Sequence, residues 1–205
     1  MARVRRYLIA LVVVSVSLGA SAACNNKAKP SGSLTIIAFG DSLTAGYGTT
    51  GDNDFVAVLA KRVNKSITNA GRYGDTTADA LARIDNAVLS RNPNIVIVLL
   101  GGNDLLQNLP VQQTVANMNT IVDRIRAKNA AVILVGVSDV YDPFAGALPG
   151  IASRTSSTLV PAVLDGILGN PSLMYDSVHP NNAGHQIMAD RIEPALRAQI
   201  AAAGG

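Results

Sequence analysis

The chain has 205 residues, enough for one domain with its own hydrophobic core. It carries 17 lysines and arginines against 14 aspartates and glutamates, but three of the arginines stand among the first six residues. Without Arg3, Arg5 and Arg6 the basic and acidic residues balance, and no run of like charges occurs elsewhere. This balance argues against a nucleic acid partner, because binding a polyanion requires a basic surface.

The N-terminus has the three-part pattern of a secretory signal. The arginines are followed by an uncharged apolar run from Tyr7 to Leu18, and then by small residues up to Ala23. The apolar run is about a dozen residues long, short of the roughly 20 that a membrane-spanning helix needs. We therefore expect residues 1–23 to be a signal peptide and the protein to be exported.

Cys24 is the only cysteine, so no intramolecular disulfide can form, and an odd thiol in an exported protein needs an explanation. The residues before it resemble the lipobox of bacterial lipoproteins, although that motif prefers Leu where this chain has Ser21. The resemblance implies that Cys24 is lipidated and holds the protein at a membrane surface, in the periplasm or cell envelope. The alternative is cleavage after Ala22, which leaves a free thiol on a secreted protein.

A polar stretch at residues 24–32 is expected to be a flexible tether, after which short apolar runs alternate with amphipathic segments. Four runs are mainly apolar, as is typical of buried strands, and comprise Leu34–Phe39, Ile95–Leu100, Ala131–Val137 and Leu159–Leu164; Ile67–Ala70 is a further short run between two amphipathic segments. The amphipathic segments have helical periodicity and comprise Asp52–Asn64, Thr76–Ser90, Thr114–Lys128 and Asn182–Ala203. This alternation predicts an α/β domain over residues 33–205, with a parallel sheet and helices on both faces.

The crossover between Tyr141 and Thr158 interrupts the alternation. It contains two prolines and two glycines, namely Pro143, Gly146, Pro149 and Gly150. These residues leave little room for a full helix, so we expect a short helix or an irregular loop.

Polar clusters follow the first three predicted strands and precede the last helix. Ser42 comes directly after the first strand, where Gly40 lets the backbone turn sharply. The other clusters are residues 69–76, 101–104 and 176–181. Ligands of an open parallel sheet bind beyond the carboxyl ends of its strands, so these clusters are expected to meet at one rim. Ser42 is therefore a candidate nucleophile, although Thr44 rules out a G-x-S-x-G elbow.

The clusters resemble four sequence blocks of the GDSL/SGNH hydrolase family, in the branch that includes bacterial thioesterase I, lysophospholipase L1 and arylesterases. They read GDSLTAGYG, NAGRYGDTT, LLGGND and DSVHPNNAGH, in the family's order and spacing. The similarity extends from Leu34 to Ala202. It implies a three-layer α/β/α sandwich with a flavodoxin-like, five-stranded parallel sheet, and a serine hydrolase that acts on ester bonds.

Three residues are expected to form a catalytic triad. Ser42 attacks the ester carbonyl, His179 takes its proton, and Asp176 accepts a hydrogen bond that fixes the tautomer of the imidazole. The resemblance further implies an oxyanion hole, formed by the backbone N–H groups of Ser42 and Gly74 and by the side-chain amide of Asn103.

The remaining polar residues of the blocks are assigned structural roles. Asp41 is expected to hydrogen-bond neighbouring backbone, Asp75 and Asp104 to occupy turns or caps, and His185 to be a packed or surface residue. With two histidines and one cysteine in the chain, no metal site is expected. Neither a G-x-G-x-x-G loop nor a Walker loop occurs, so no cofactor is expected and water is the second substrate.

The substrate itself stays open at this stage, as does the oligomeric state. Leu105, Leu106 and Gln107 stand where thioesterase-like relatives usually carry a glycine and an arginine, which favours a more apolar pocket rim. The main hypothesis is an exported serine esterase that hydrolyses small carboxylic esters, thioesters or lysolipids through an acyl-serine intermediate. The alternatives are a carbohydrate O-acetyl esterase and a non-catalytic lipoprotein that binds acyl chains or glycans. The second alternative is disfavoured because no triad or oxyanion residue is lost.

Overall fold

The structure, a computed structural model, describes residues 34–138 and 143–205. The predicted signal peptide, the tether with Cys24 and residues 139–142 of the irregular crossover lie outside the described residues. Within the described ranges, no helix is both long enough and apolar enough to cross a membrane.

One sheet of five parallel strands forms the centre of the domain, in the order β2-β1-β3-β4-β5. The strands are β1 (Ile36–Gly40), β2 (Ile67–Gly71), β3 (Ile95–Leu99), β4 (Ala131–Val135) and β5 (Thr158–Val160). Every residue of β1 and β3 is buried, as their unbroken apolar sequence predicts for central strands covered on both faces. The strand order is flavodoxin-like, which confirms the predicted fold.

Seven α-helices accompany this sheet among the described residues. They are α1 (Ser42–Ala45), α2 (Phe55–Val63), α3 (Thr77–Ala87), α4 (Gly102–Leu106), α5 (Val111–Arg126), α6 (Leu148–Thr155) and α7 (Asn182–Ala202). The longer helices form two layers, with α2 and α7 on one face and α3, α5 and α6 on the other.

Each face of the sheet has its own apolar core. Successive side chains of a strand point to opposite faces, so Ile36 and Ala38 of β1 join the core under α2 and α7. Ile37 and Phe39 join the core under α3 and α5. The three-layer sandwich therefore follows from uninterrupted apolar strands that supply side chains to both layers of helices.

Polar caps determine where the helices begin. Asp54 accepts hydrogen bonds from two backbone N–H groups in the first turn of α2. Thr76 and Asp79 form a reciprocal capping box at α3, and Asn181 accepts from two N–H groups at the start of α7. The cap at Asn181 lies only two residues after His179, so it fixes the loop that carries the predicted triad residues.

The fifth strand is shorter than the apolar run Leu159–Leu164 predicts. It ends at Val160, because Pro161 has no N–H for the ladder and Ala162 has a positive φ of 49°. The N–H of Leu164 still donates to the carbonyl of Val137 at 2.9 Å. Leu164 therefore stays near the carboxyl end of β4, but as part of an irregular segment at the rim.

The proline- and glycine-containing crossover includes a short helix, one of the two predicted possibilities. Helix α6 has eight residues, and Pro149 lies at its start, where a missing N–H removes no intrahelical hydrogen bond. Ser156 ends the helix in the left-handed conformation, with a φ of 52°.

Candidate active site

Ser42 is the first residue of α1, directly beyond the carboxyl end of β1. The neighbours of β1 are β2 on one side and β3 on the other, so the strand order reverses here and a crevice opens at the rim. Gly40 is required for the tight exit from the strand, because a Cβ at this position would collide with the Thr44 side chain and the Leu99 carbonyl.

Ser42, His179 and Asp176 form one hydrogen-bonded relay. Ser42 Oγ lies 3.0 Å from His179 Nε2. On the other edge of the imidazole, Nδ1 lies 3.0 and 2.8 Å from the two carboxylate oxygens of Asp176. An ionised carboxylate can only accept, so Nδ1 carries the proton and the lone pair of Nε2 points at the serine hydroxyl. This arrangement is suited to removing the proton of Ser42.

The loop that carries His179 is fixed by several further contacts. Asp176 Oδ1 accepts hydrogen bonds from the backbone N–H groups of Val178 at 2.9 Å and His179 at 2.8 Å. Partial burial by itself would raise the pKa of Asp176, but these N–H groups and the His179 ring outweigh it and lower that pKa below its ordinary value. The Tyr47 ring packs against the imidazole at 4.4 Å between centroids.

Asn103, in the first turn of α4, borders the same crevice as Ser42 and His179. Its side-chain amide donates to the carbonyl of Asp75 at 2.9 Å, which fixes the orientation of the amide plane. Gly74 lies in the turn just before Asp75, with a φ of +77° that disfavours any larger residue. Gly74 is not among the described residues that line the crevice, so only Ser42 and Asn103 of the three predicted oxyanion residues border it directly.

An apolar cavity of about 360 Å³ opens from Ser42 and His179. Its apolar wall consists of Leu43, Leu105, Leu106, Val137, Leu164, Leu168 and Val178. Leu105 and Leu106 are the residues that the sequence identified as making the rim more apolar. Val137 and Leu168 were not anticipated, because Val137 ends one apolar run, Leu168 follows another, and their sequence surroundings resemble ordinary core.

Comparison with known proteins identifies the family of this chain. The family described as the GDSL-like Lipase/Acylhydrolase family matches residues 38–187. The chain belongs to this family. The match confirms the resemblance read from the four sequence blocks and identifies the chain as an ester-hydrolysing enzyme.

The relatives of this GDSL hydrolase include two curated bacterial enzymes. Esterase TesA of Pseudomonas aeruginosa is 30% identical over 176 residues, which cover 80% of this chain and 88% of that protein. Thioesterase 1/protease 1/lysophospholipase L1 of Escherichia coli is 30% identical over 173 residues, covering 80% and 83% of the two chains. The crystal structure of TesA superposes with a TM-score of 0.75 at 30% identity, covering 80% of this chain and 99% of that chain.

Three buried carboxylates lie beneath the active-site loops of this GDSL hydrolase, each 2% exposed. Asp41 accepts a hydrogen bond from the Leu43 N–H at 3.0 Å, as the sequence predicts. Burial raises the pKa of Asp41 to about 7 against the lowering effect of that bond, and nearby Asp75 and Asp104 raise it further. Asp104 accepts from the N–H of Thr77 at 2.8 Å, so it assists the start of a different helix, α3, rather than capping its own.

Asp75 lies in a turn, as its sequence context predicts, because its N–H donates to the carbonyl of Arg72 at 3.3 Å, but its side chain has a further role that the sequence did not indicate. Its carboxylate forms 2.5 Å ion pairs with both Arg72 and Arg83. Arg83 also donates to the carbonyls of Ala70 and Gly40, at 3.0 Å each. The Arg83 guanidinium thus connects the ends of β1 and β2 to Asp75, whose backbone carbonyl accepts the hydrogen bond from the Asn103 amide. The neighbouring sequence does not indicate this role of Arg83, because an arginine six residues into a helix is usually a solvent-exposed residue.

His185 is a packed residue, one of the two predicted possibilities. It is fully buried, stacks on Phe55, and accepts a hydrogen bond from the Phe55 N–H through Nδ1 at 3.2 Å. Burial lowers its pKa to about 4, so the ring is neutral near pH 7. In the described parts of the chain, no three His, Cys, Asp or Glu side chains gather in a way that could hold a metal ion.

Proposed function

We propose that this GDSL hydrolase cleaves esters and thioesters of apolar acyl chains through an acyl-serine intermediate. The observation that carries the proposal is the continuous relay from Ser42 Oγ through His179 to Asp176, at the mouth of an apolar cavity. A nucleophile, its base and the group that orients the base are the elements of covalent acyl transfer.

In the acylation step, His179 Nε2 takes the proton of Ser42 while Oγ attacks the carbonyl carbon. Asp176 stabilises the imidazolium that forms, because its carboxylate faces Nδ1. The negative charge on the carbonyl oxygen is met by the N–H of Ser42 and the amide of Asn103, which border the crevice, and the family resemblance adds the N–H of Gly74. Proton transfer from Nε2 to the leaving oxygen or sulfur then releases the alcohol or thiol, and a water activated by His179 hydrolyses the acyl-serine.

The apolar cavity supports an acyl chain longer than acetyl. Its volume of about 360 Å³ exceeds what a methyl group fills, and its wall is built mainly from leucine and valine. Each methylene that leaves water for such a wall contributes about 0.8 kcal/mol, or about fourfold in kcat/KM. The acetyl group of a carbohydrate O-acetyl ester would fill only a small part of this volume.

The test is hydrolysis of p-nitrophenyl acetate, butyrate and octanoate by residues 33–205, together with Ser42→Ala and the exposed-serine control Ser90→Ala. We expect kcat/KM to rise with acyl length, Ser90→Ala to match the native enzyme, and Ser42→Ala to lose turnover. Mass spectrometry of the quenched native enzyme should reveal an added acyl group on the Ser42 peptide. Activity confined to acetate would favour the O-acetyl esterase, and no turnover of any ester by folded protein would favour a binding role.

We also propose that the enzyme is exported and lipidated at Cys24, which rests on the leader pattern and the lipobox-like residues before the cysteine. Expression of the full chain in a bacterium, beside Cys24→Ser, tests this. The native chain should partition with membranes and carry a diacylglyceryl mass on Cys24, and the variant should be soluble and equally active. A native chain that is soluble with a free thiol would instead support cleavage after Ala22.

A further inference from the structure

The segment of residues 46–50, called here the bridging loop, lies between the helix that carries Ser42 and the loop that carries His179. It begins at Gly46, which ends α1 in the left-handed conformation with a φ of 84°. The N–H of Tyr47 donates to the carbonyl of Ser42 at 3.0 Å. The start of the bridging loop is therefore fixed to the backbone of Ser42.

The other end of the bridging loop is fixed to the start of α7. The N–H of Thr50 donates to Asn182 Oδ1, and Asn182 Nδ2 donates to Thr50 Oγ1, each at 3.0 Å. Asn182 is the first residue of α7 and follows His179 by three positions. The bridging loop thus connects α1 directly to the helix that follows His179.

Gly48 brings the bridging loop into close contact with residues 175–180, called here the triad loop because two of the triad residues lie in it. The φ of Gly48 is +90°, and a Cβ at this position would lie 2.6 Å from the Pro180 carbonyl oxygen and 2.9 Å from Tyr175 Cβ. Non-bonded atoms do not approach so closely, so only glycine fits here without moving one of the loops. Pro180 and Tyr175 are the two ends of the triad loop, so Gly48 packs where that loop begins and where it ends.

The Tyr47 ring packs against the His179 imidazole, with 4.4 Å between the ring centroids. Hydrogen bonds at Nδ1 and Nε2 direct the two edges of the imidazole toward the carboxylate and the serine hydroxyl, but they restrain its tilt only weakly. Tyr73 and Tyr175 hold the Tyr47 ring in turn, because their rings meet it nearly at right angles, with centroids 5.4 and 5.8 Å away. The Tyr47 ring is therefore a fixed surface that limits how far the imidazole can tilt.

We propose that Gly48 and Tyr47 are positioning residues for His179; this rests on the serine hydrolase function proposed above. Gly48 sets the distance between the triad loop and α1, and the Tyr47 ring sets the tilt of the imidazole. Proton transfer from Ser42 requires Nε2 to lie within hydrogen-bond reach of Oγ and to point at it. A displacement of about 1 Å in such a pair can lower the rate by about a hundredfold.

The first test compares Gly48→Ala with the matched control Gly51→Ala. Gly51 also has a positive φ, of +58°, but among the described residues the nearest atom to a Cβ there is Asn53 Nδ2, 3.9 Å away. Both variants carry the strain of alanine at a positive φ, and only Gly48→Ala displaces the triad loop. We expect kcat on p-nitrophenyl butyrate to fall by about 10- to 100-fold in Gly48→Ala with KM unchanged, and to stay at the native value in Gly51→Ala.

The second test uses two replacements of Tyr47. Tyr47→Leu removes the flat ring, so kcat should fall by about tenfold with KM unchanged, whereas Tyr47→Phe keeps the ring and should restore most of kcat. The rate at which diethyl p-nitrophenyl phosphate labels Ser42 should follow the same order. In that reaction Oγ bonds to phosphorus, p-nitrophenolate leaves and His179 takes the serine proton, so the labelling rate reports the Ser42–His179 pair without an acyl chain in the cavity.

Thermal unfolding establishes that each variant is folded before its rates are compared. A kcat and a labelling rate in folded Gly48→Ala within about twofold of Gly51→Ala would overturn the role of Gly48. Equal rates in Tyr47→Leu and Tyr47→Phe, or a loss confined to KM, would overturn the role of Tyr47, and this pair decides the proposal if Gly48→Ala does not fold. Absence of ester turnover in the folded native enzyme would instead overturn the proposed function.

Discussion

Replacing Asn103 by alanine removes one proposed donor to the developing oxyanion and leaves the nucleophile and its base in place. The Asn103 amide has two N–H groups, and the carbonyl of Asp75 accepts one of them at 2.9 Å. The other is available to the substrate oxygen in the crevice that Asn103 lines. Loss of one such donor raises the barrier by about 2.7–4 kcal/mol. We therefore expect kcat to fall by about two to three powers of ten, with little change in KM.

The same substitution removes one ground-state hydrogen bond, which contributes only about 1 kcal/mol to the free energy of unfolding. The matched control is Asn117→Ala, because the Asn117 amide donates to Thr77 Oγ1 at 3.1 Å and does not line the crevice. Both variants should lose about 2–4 °C in thermal unfolding, and only Asn103→Ala should lose turnover. Steady-state kinetics on p-nitrophenyl butyrate provides the measurement. A loss in kcat below about tenfold, or an effect on KM alone, would refute Asn103 as an oxyanion donor.

Three further predictions concern the surroundings of the site. Arg83→Lys keeps the positive charge, but a lysine cannot contact Asp75 and both strand-end carbonyls at once. Thermal stability and kcat should therefore both fall while KM is unchanged. The control Arg124→Lys changes an exposed ion pair and should alter neither thermal stability nor kcat. Asp41→Asn tests how the ionisation of Asp41 affects stability. The pKa of this carboxyl is raised to about 7 in the folded protein, so folding becomes less favourable as the pH rises from the pKa of the unfolded chain toward 7. The stability advantage of Asp41→Asn should grow by about 2 kcal/mol between pH 5 and pH 7 and level off above, measured by urea unfolding at each pH, and a constant advantage would contradict the linkage. Joint substitution of Leu105 and Leu106 by alanine removes part of the wall of the apolar cavity, so kcat/KM for octanoate should fall by about tenfold or more while that for acetate is unchanged; a parallel loss on both esters would argue against the cavity as the acyl site.

Much of the fold follows directly from local sequence. β1 consists of apolar residues and Gly40, and β3 of apolar residues throughout, which is the pattern typical of a strand buried on both faces. The fifth strand is the exception. Its apolar run continues past Pro161, and an apolar pattern does not show that Pro161 lacks the N–H that a longer strand would need. The short crossover helix was equally undetermined, since Pro149 is compatible with the first turn of a helix as well as with a loop.

The three residues proposed as a catalytic triad could be selected from sequence because the four blocks that contain them are short and contiguous, and Asp176 and His179 are only three residues apart. What the sequence alone determined is therefore the strand and helix pattern, the family blocks and the candidate nucleophile and base. Tertiary structure decided how these meet: Ser42 and His179 are 137 positions apart, and the strand order closes that separation to 3.0 Å. It also decided the ion pairs of Asp75, the walls of the apolar cavity and the packing of the Tyr47 ring against His179. The periodicity of the sequence specifies which face of a helix or strand is apolar. It does not specify which distant side chain packs against that face, because this depends on the position of each strand end in the sheet.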